Sequence, residues 1–504
     1  MTLESESSRL ARAHRPWLWV LGLTALLRLL SLDAVPLTDH TEARYAEIAR
    51  LMVVLGDWLS PHVTPTDVFW AKPPLATWGQ AFALQWLGVS AWAARLPALL
   101  WSVGALGALA WMLVPTLSRL QICVALVLLA LSPLFFVSAG AVMTDATLSA
   151  TVLWVHAAWW RALQADGAAR RRAGRWLAFG LALALLTKGP AAAVLALLPI
   201  VVHATWRRHW PLVATLLRDP WSWLICFGVA LPWYVLAELK TPGFLNYFVL
   251  GEHVMRFIQP GWQGDRYGFA HAQPLGMIWL FTALAALPAL LLLLLRGLWL
   301  LLKSVLGRRN AMAHQSGSQA PTNAGSAGIK RITEATGDAE LRAFALCIAL
   351  VPLLLFTFAH NLIWTYAMTA LPGLAVLASY SLPAAALAKA RSWVLALVLL
   401  IVFAWAYFFK LPGIGAENSD LALIQAYKRA CAGQDCGLRY EDKPPYSAYF
   451  YTAGQLYLGM PGAAGAPSFT VRPFSGAAKM PDNALLCNKR NCLFRDDATI
   501  GLSE

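Results

Sequence analysis

Charge is the first scarcity. Only 13% of the 504 residues are Asp, Glu, Lys or Arg, roughly half the share of a typical soluble domain. With 59% hydrophobic residues, too little polar surface remains to cover a soluble globule. Disordered, fibrous and coiled-coil classes are excluded by the same composition. Acids are scarcer than bases, 26 against 40, which leaves a formal net charge of +14. Signature loops are missing too. There is no Walker phosphate loop, no GxSxG nucleophile elbow and no HExxH metal helix, so the sequence gives no support to nucleotide-driven, serine-hydrolase or zincin chemistry.

What is abundant is apolar helix and tryptophan. The 24 Trp suit a protein that meets two membrane interfaces. Apolar runs occur near 17–32, 95–114, 120–138, 144–160, 176–188, 190–204, 221–237, 275–302, 342–359, 365–388 and 393–410. They predict about eleven crossings, each needing roughly 20 apolar residues. The two short runs around Lys188 read as two tightly joined spans or a re-entrant hairpin. The run from 275 is long enough for tilt, or for a break at Pro288. The first run lacks a cleavage region after it and reads as an uncleaved anchor.

Basic residues then orient the bundle. Arg9, Arg12 and Arg15 precede the first run, Arg161 and Arg170 to Arg175 fill one loop, and Arg207, Arg208 and Arg218 another. Lys303, Arg308, Arg309, Lys330 and Arg331 fill a third, and Lys389 and Arg391 a fourth. An eleven-crossing chain puts all of them in the cytoplasm, as the positive-inside rule requires. Residues 33–90, 238–273 and 411–504 then lie outside it. The tail 411–504 is neutral, with nine basic and nine acidic residues, so the first 410 residues carry the whole excess. That excess is a topology signal rather than a nucleic-acid surface. The Ala-, Gly-, Ser- and Thr-rich stretch 310–340, within a cytoplasmic loop at 303–341, reads as a flexible linker.

Cys123, Cys226 and Cys347 fall in apolar runs and read as packing residues. Cys431, Cys436, Cys487 and Cys492 fall in the exported tail, where two disulfides are expected. Spacing pairs 431 with 436 and 487 with 492, but three connectivities stay open. The tail reads as a small mixed α/β domain.

The chemistry concentrates in the exported loops. Asp39-His40-Thr41-Glu42-Ala43-Arg44-Tyr45-Ala46-Glu47 crowds charge at the membrane surface and opens a helix expected to lie along the interface. Trp70-Ala71-Lys72-Pro73-Pro74 fixes one Lys beside two prolines. Asp145, Lys188 and the run Glu252-His253-Val254-Met255-Arg256 reach the same face by the same topology. Ionisable residues at membrane depth are costly and are usually functional. Carboxylates could deprotonate an acceptor or hold a metal, and Lys and Arg could neutralise a departing phosphate. A phospho-lipid-linked donor, used outside the nucleotide pool, meets these constraints. A secondary transporter would instead place its charges on broken, repeated helices at the midplane, and no clear repeat is seen.

Thr41-Glu42-Ala43-Arg44-Tyr45-Ala46-Glu47, Gly56-Asp57-Trp58, Lys72-Pro73-Pro74, Asp145, Lys188-Gly189-Pro190 and Glu252-His253 through Arg256-Phe257 together resemble the lipid-linked-sugar transferases of the GT-C fold. The likeness is to the aminoarabinose transferases that modify lipid A and to bacterial relatives of protein O-mannosyltransferases. It covers roughly residues 15–410. It implies a polytopic α-helical membrane protein of the bacterial inner membrane, with about 11–13 transmembrane helices in residues 1–410. Catalytic loops would face the periplasm, the first of them at 33–90, and a small periplasmic α/β domain would occupy 411–504. The implied reaction is inverting transfer of a sugar, 4-amino-4-deoxy-L-arabinose, from undecaprenyl phosphate to a phosphate of lipid A. Capping that phosphate with a cationic sugar resists polymyxin. Protein O-mannosylation or another cell-envelope glycan transfer is the alternative within the class. A monomer is expected, with membrane lipids but no nucleic acid as partners.

Site expectations follow. Asp39 or Glu42 orients or deprotonates the acceptor, and Asp145 orients the first loop or shares a metal. Lys72, Lys188 and Arg256 hold the lipid phosphate, with Arg44 as a helper. A divalent metal is admitted at Glu252 and His253. Two departures stand out. The family usually opens its first motif with Asp-Glu, where this chain has Thr41-Glu42. Its aminoarabinose members often place Glu before Lys-Pro, where this chain has Ala71.

Overall fold

The computed structural model describes residues 12–268, 271–311, 326–431, 433–463, 466–476 and 480–496. Each apolar run of the sequence is helical, but helices and crossings do not map one to one. Helix α1 (Arg15–Leu30) shows the pattern. Pro16 sits in its first turn, where a missing N–H is harmless. Trp17, Val20, Thr24 and Arg28 form one buried stripe at helical spacing, while Leu18, Trp19, Leu23, Leu26 and Leu30 face outward. An apolar outer face of this kind is what lipid, not water, solvates.

Five single helices are long and apolar enough to cross a membrane: Ala91–Leu113, Pro190–Arg207, Pro220–Lys240, Gly337–Thr357 and Ala390–Glu417. A sixth is a pair, Met277–Ala285 and Leu287–Lys303, bent by 100° just before Pro288, at the break the sequence allows. The run 120–138 is not one helix. It splits into Arg119–Ala130 and Pro133–Ser138, because Pro133 lacks the N–H that would continue the ladder. The run 365–388 is also broken, into a 3₁₀ segment Trp364–Ala370, a helix Leu371–Ser379 and a short turn Ala384–Leu387.

At the centre lies α2 (Asp145–Leu163), almost wholly buried and lined with small residues such as Ala146, Ser149, Ala150 and Ala157. Its neighbours are α3 (Gly167–Lys188) and α4 (Pro190–Arg207), joined by Gly189 alone. Gly189 has φ 60° and ψ −140°, a backbone region open essentially only to glycine. The runs around Lys188 are therefore two tightly joined antiparallel helices. With 1.5 Å rise per residue, α2 separates Asp145 from its C-terminal end by about 28 Å, close to a bilayer core. Asp145 and Lys188 share one face of the bundle, and Arg161, Arg170, Arg175 and Arg207 share the other. The positive-inside rule assigns that basic face to the cytoplasm.

Two expectations change. The helix α5 (Thr41–Leu55) is not an interfacial helix with one solvated face, since Ala43 and every residue from Tyr45 to Met52 are buried. Glu47 pairs with Arg50 at 2.8 and 2.7 Å, and Arg50 also donates to the Ala453 carbonyl. The tail covers this helix, which is why both of its faces are enclosed. In the stretch 310–340, read as a linker, one helix runs to Ala311 and another starts at Ser326. Residues 312–325 lie outside the described residues.

The tail forms a four-stranded sheet of β1 (Gly437–Tyr440), β2 (Ser468–Pro473), β3 (Ala484–Cys487) and β4 (Asn491–Asp496) in the order β1-β2-β4-β3. The β1–β2 pair is parallel and the other two pairs are antiparallel. Helix Leu421–Cys431 packs Leu423, Ile424 and Tyr427 on Leu438, Phe469, Val471 and Leu493. Cys431 is bonded to Cys436, and Cys487 to its cross-strand partner Cys492. A parallel pair requires a crossover. Here the crossover carries helix Tyr446–Tyr451, which descends onto α5 and roofs the first loop.

Candidate active site

A cavity of about 580 Å³ opens at the face opposite the basic loops, bounded by α5, α2, the α3–α4 turn and the loop regions around residues 72, 252 and 361. Among its charged lining residues are Arg44, Lys72, Lys188 and Arg256, set against Asp145, Glu252 and Asp265. Cations outnumber acids in a partly apolar chamber, which suits an anionic group carried on a lipid.

Asp145 opens α2, and Lys188 closes α3. Each charge complements the dipole of its own helix end. Lys188 Nζ donates to Asp145 Oδ1 at 2.8 Å and lies 5.7 Å from the Tyr366 ring centre. Both side chains are largely buried, so the pair is held in low dielectric, where an unpaired partner would be costly.

The second charge cluster centres on Glu252, within a π-helical turn Asn246–Met255. Its carboxylate accepts from Lys72 Nζ at 3.2 Å, Arg256 Nη1 at 3.1 Å and the Tyr247 hydroxyl at 3.0 Å. Burial raises its pKa, but Lys72 and Arg256 outweigh burial and hold it below the ordinary value. Arg256 also reaches Asp265 at 3.2 Å. Asn361 clamps this loop from below, donating to the carbonyls of Arg256 and Gln259 and accepting from Gly261 N–H. Arg44 donates to the Tyr267 carbonyl, and the Tyr267 hydroxyl joins Trp70 N–H to the Val68 carbonyl.

Two candidate acids lie elsewhere. Asp39 is not on the cavity wall, although His40 and Thr41 are. Its carboxylate accepts from the backbone N–H and hydroxyl of Ser447. Burial raises its pKa to about 6 despite those two bonds. Glu42 is gripped by Arg95 through two 2.7 Å bonds and also accepts from Val142 N–H at 3.1 Å. Burial opposes ionisation there, yet Arg95 prevails and the pKa is lowered. Since Val142 precedes Asp145 by three residues, Glu42 positions the turn that presents Asp145.

Both ring nitrogens of His253 are turned toward backbone carbonyls. Nε2 faces the Lys188 carbonyl at 2.9 Å and Nδ1 faces the Phe248 carbonyl at 2.6 Å. Glu252 is already shared by three donors. As arranged, this pair fits a metal poorly. The Gly56-Asp57-Trp58 motif is structural: Gly56 caps α5 in the left-handed region, and Asp57 binds Lys240 and His62.

Asp265, Tyr247, Tyr267 and Tyr366 complete the site and were not singled out from sequence. An acid and an aromatic in Gly264-Asp265-Arg266-Tyr267, within an exported loop, were the available signal.

The comparisons bear on this geometry. The chain aligns over nearly its whole length with the crystal structure of ArnT from Cupriavidus metallidurans bound to undecaprenyl phosphate, at TM-score 0.69, covering 97% of this chain and 99% of that one at 16% identity. The chain has the ArnT fold. The apo crystal structure of the same ArnT gives TM-score 0.62 at 17% identity. The expected GT-C architecture, a polytopic helical bundle with a small C-terminal sheet domain, is thus the fold observed. Residues 30–248 match the family described as dolichyl-phosphate-mannose-protein mannosyltransferase. The undecaprenyl phosphate-alpha-4-amino-4-deoxy-L-arabinose arabinosyl transferase of Aeromonas salmonicida is 33% identical over 284 residues, 54% of this chain and 50% of that protein. The similarly named protein of Sodalis glossinidius is 33% identical over 290 residues, 55% and 48%. The chain spans about half the length of the curated relatives it matches. Helices α5, α2, α3 and α4, which border the cavity, lie within residues 30–248.

Proposed function

We propose that this chain transfers a sugar from a polyprenyl phosphate to an acceptor at the periplasmic face of the bacterial inner membrane. The observation that carries the reading is the cavity itself: Lys72 and Arg256 already hold one anion, the Glu252 carboxylate, beside a buried Lys188–Asp145 pair. A donor phosphate entering from the bilayer shares those two cations with Glu252. Attack on the anomeric carbon forms the new glycosidic bond on one face as the bond to the phosphate oxygen breaks on the other, with inversion. Lys72 and Arg256 then meet the negative charge that grows on the departing polyprenyl phosphate. Asp145, the acid among our three candidates that lines the cavity, orients the acceptor, with Lys188 fixing its carboxylate. No step here needs a metal.

The sugar we propose is 4-amino-4-deoxy-L-arabinose and the acceptor a lipid A phosphate. The names of the relatives support this, and an acceptor that is already a phosphate needs no strong base. The match of residues 30–248 to the mannosyltransferase family favours a second reading, transfer to exported protein. Mass analysis of lipid A and of exported proteins from a deletion strain separates the two. Loss of the aminoarabinose mass from lipid A is expected. Unchanged lipid A with altered exported proteins would overturn the acceptor, and no change in either would overturn the transferase.

A further inference from the structure

On the cytoplasmic face, far from the cavity, three donor side chains from separate segments converge. His203 comes from the last turn of α4, His209 from the turn that follows it, and Glu340 from the helix Ser326–Thr357. His203 Nε2 lies 3.1 Å and His209 Nε2 2.6 Å from Glu340 Oε1, and all three donor atoms lie within 4.8 Å of one another. Among the described residues this is the one such group of three His, Cys, Asp or Glu donors. We propose that it is a binding site for a divalent transition ion of the zinc class.

Four observations support the assignment. First, the ligand chemistry is right: two imidazoles and one carboxylate form a zinc ligand set, leaving a fourth tetrahedral position for water. Second, His203 is fully buried, and its Nε2, 3.1 Å from Glu340 Oε1, forms no hydrogen bond within standard geometry. Third, the carboxylate is oriented from outside. Arg207 Nε donates to Oε2 at 2.7 Å and turns Oε1 toward the two imidazoles, as an outer-shell partner does. Fourth, His209 and Glu340 are partly exposed, which gives an ion and its water a way in. Ligand bonds of about 2.0–2.1 Å place tetrahedral donors about 3.3 Å apart, so each imidazole moves away from Glu340 Oε1 by less than an ångström to admit the ion. Two contacts must be given up. The ion replaces the 2.6 Å hydrogen bond between His209 Nε2 and Glu340 Oε1. Trp159 Nε1 donates to His203 Nδ1 across a long 3.4 Å, and coordination through Nε2 moves the ring proton to Nδ1. The bound ion would clip α4 to the helix that emerges from the 312–325 stretch.

The test uses the full-length protein in detergent, tag removed and chelator-stripped, equilibrated with Zn²⁺ and counted by elemental mass spectrometry. Co²⁺ serves as a spectroscopic probe of tetrahedral geometry. Wild type is expected to bind about one equivalent more than His209→Ala or Glu340→Gln, and only wild type should give the intense tetrahedral Co²⁺ band. Equal stoichiometry and equal spectra in wild type and variants overturn the site, as does a wild type that binds no ion. Should Glu340→Gln fail to elute as a single species, His209→Ala decides alone, because that ring is partly exposed and its loss leaves no sealed cavity.

Discussion

At the residue scale, what separates the candidates is the direction in which a side chain points. Asp39, Glu42 and Asp145 look alike in sequence, three acids near one membrane face, yet only Asp145 borders the cavity. Asp145→Asn keeps the shape of the side chain and removes its charge, and Lys72→Ala removes one of the two cations proposed to hold the donor phosphate. Each is expected to lower transfer by about 10²–10³-fold, the usual effect of losing one preorganised charge; Asp145→Asn also leaves Lys188 buried without its counter-charge and should lower the melting temperature, so its transfer is measured per folded protein. Undiminished turnover by both variants would remove the mechanism. Asp39 carries a different expectation. Its pKa is raised from 3.8 to about 6 by burial, so the folded state holds its proton more tightly than the unfolded state does. The stability this contributes is full below about pH 4 and is lost as pH rises through about 6, a swing of about 3 kcal/mol. Asp39→Asn escapes the loss, so its melting temperature should exceed that of wild type at pH 7.5 and match it near pH 4. A difference that does not change with pH would show that the carboxylate is ionised without cost.

At the scale of elements, short connections do the positioning. Gly189 joins α3 to α4 in a conformation that a side chain avoids, and a Cβ there would run into the Phe248 ring and the Tyr234 hydroxyl. Gly189→Ala is expected to cost about 1–3 kcal/mol and to shift Lys188 from Asp145, seen as a lower melting temperature together with reduced transfer. Glu42 acts through its neighbours. Arg95, in helix Ala91–Leu113, binds Glu42 and also the carbonyls of Leu32, Val35 and Pro36. This knot ties the end of α1 to the start of α5. Glu42→Gln leaves Arg95 buried without its counter-charge, a loss of about 3–5 kcal/mol. Stability should fall sharply, and the reduced fraction that stays folded should retain transfer. A stable Glu42→Gln protein without transfer would return Glu42 to the catalytic group.

On the scale of the whole molecule, the small sheet domain completes the site's roof. Ser447 holds Asp39, the Ala453 carbonyl holds Arg50, and the Tyr451 hydroxyl accepts from Leu37 N–H. Removing residues 421–504 should therefore uncover α5 and make the 37–55 segment sensitive to limited proteolysis, with transfer lost. Protection of that segment in the truncated protein would show that the membrane bundle orders it unaided. This roof was the least legible part of the sequence. The alternation of charge and apolar residues from Glu42 to Met52 reads as an amphipathic surface helix, because a sequence pattern reports polarity but not which polar groups find partners inside.

Composition, apolar runs and the placement of Arg and Lys sufficed for a polytopic bundle and its orientation. These follow from transfer free energies and membrane charge asymmetry, which act residue by residue along the chain. The proline at 288 likewise marks a local break, since a missing N–H acts within one helical turn, whereas the run 120–138 reads as one span although it breaks at Pro133. The Lys72, Lys188, Asp145 and Arg256 set could also be brought to one face by counting crossings. Only the tertiary structure decided that Asp39 serves the roof, that Glu42 serves a knot and that Asp265 and Tyr267 serve the cavity. Direction and partnership depend on packing between segments more than 400 residues apart, and no local pattern encodes which of several like-charged side chains is turned inward.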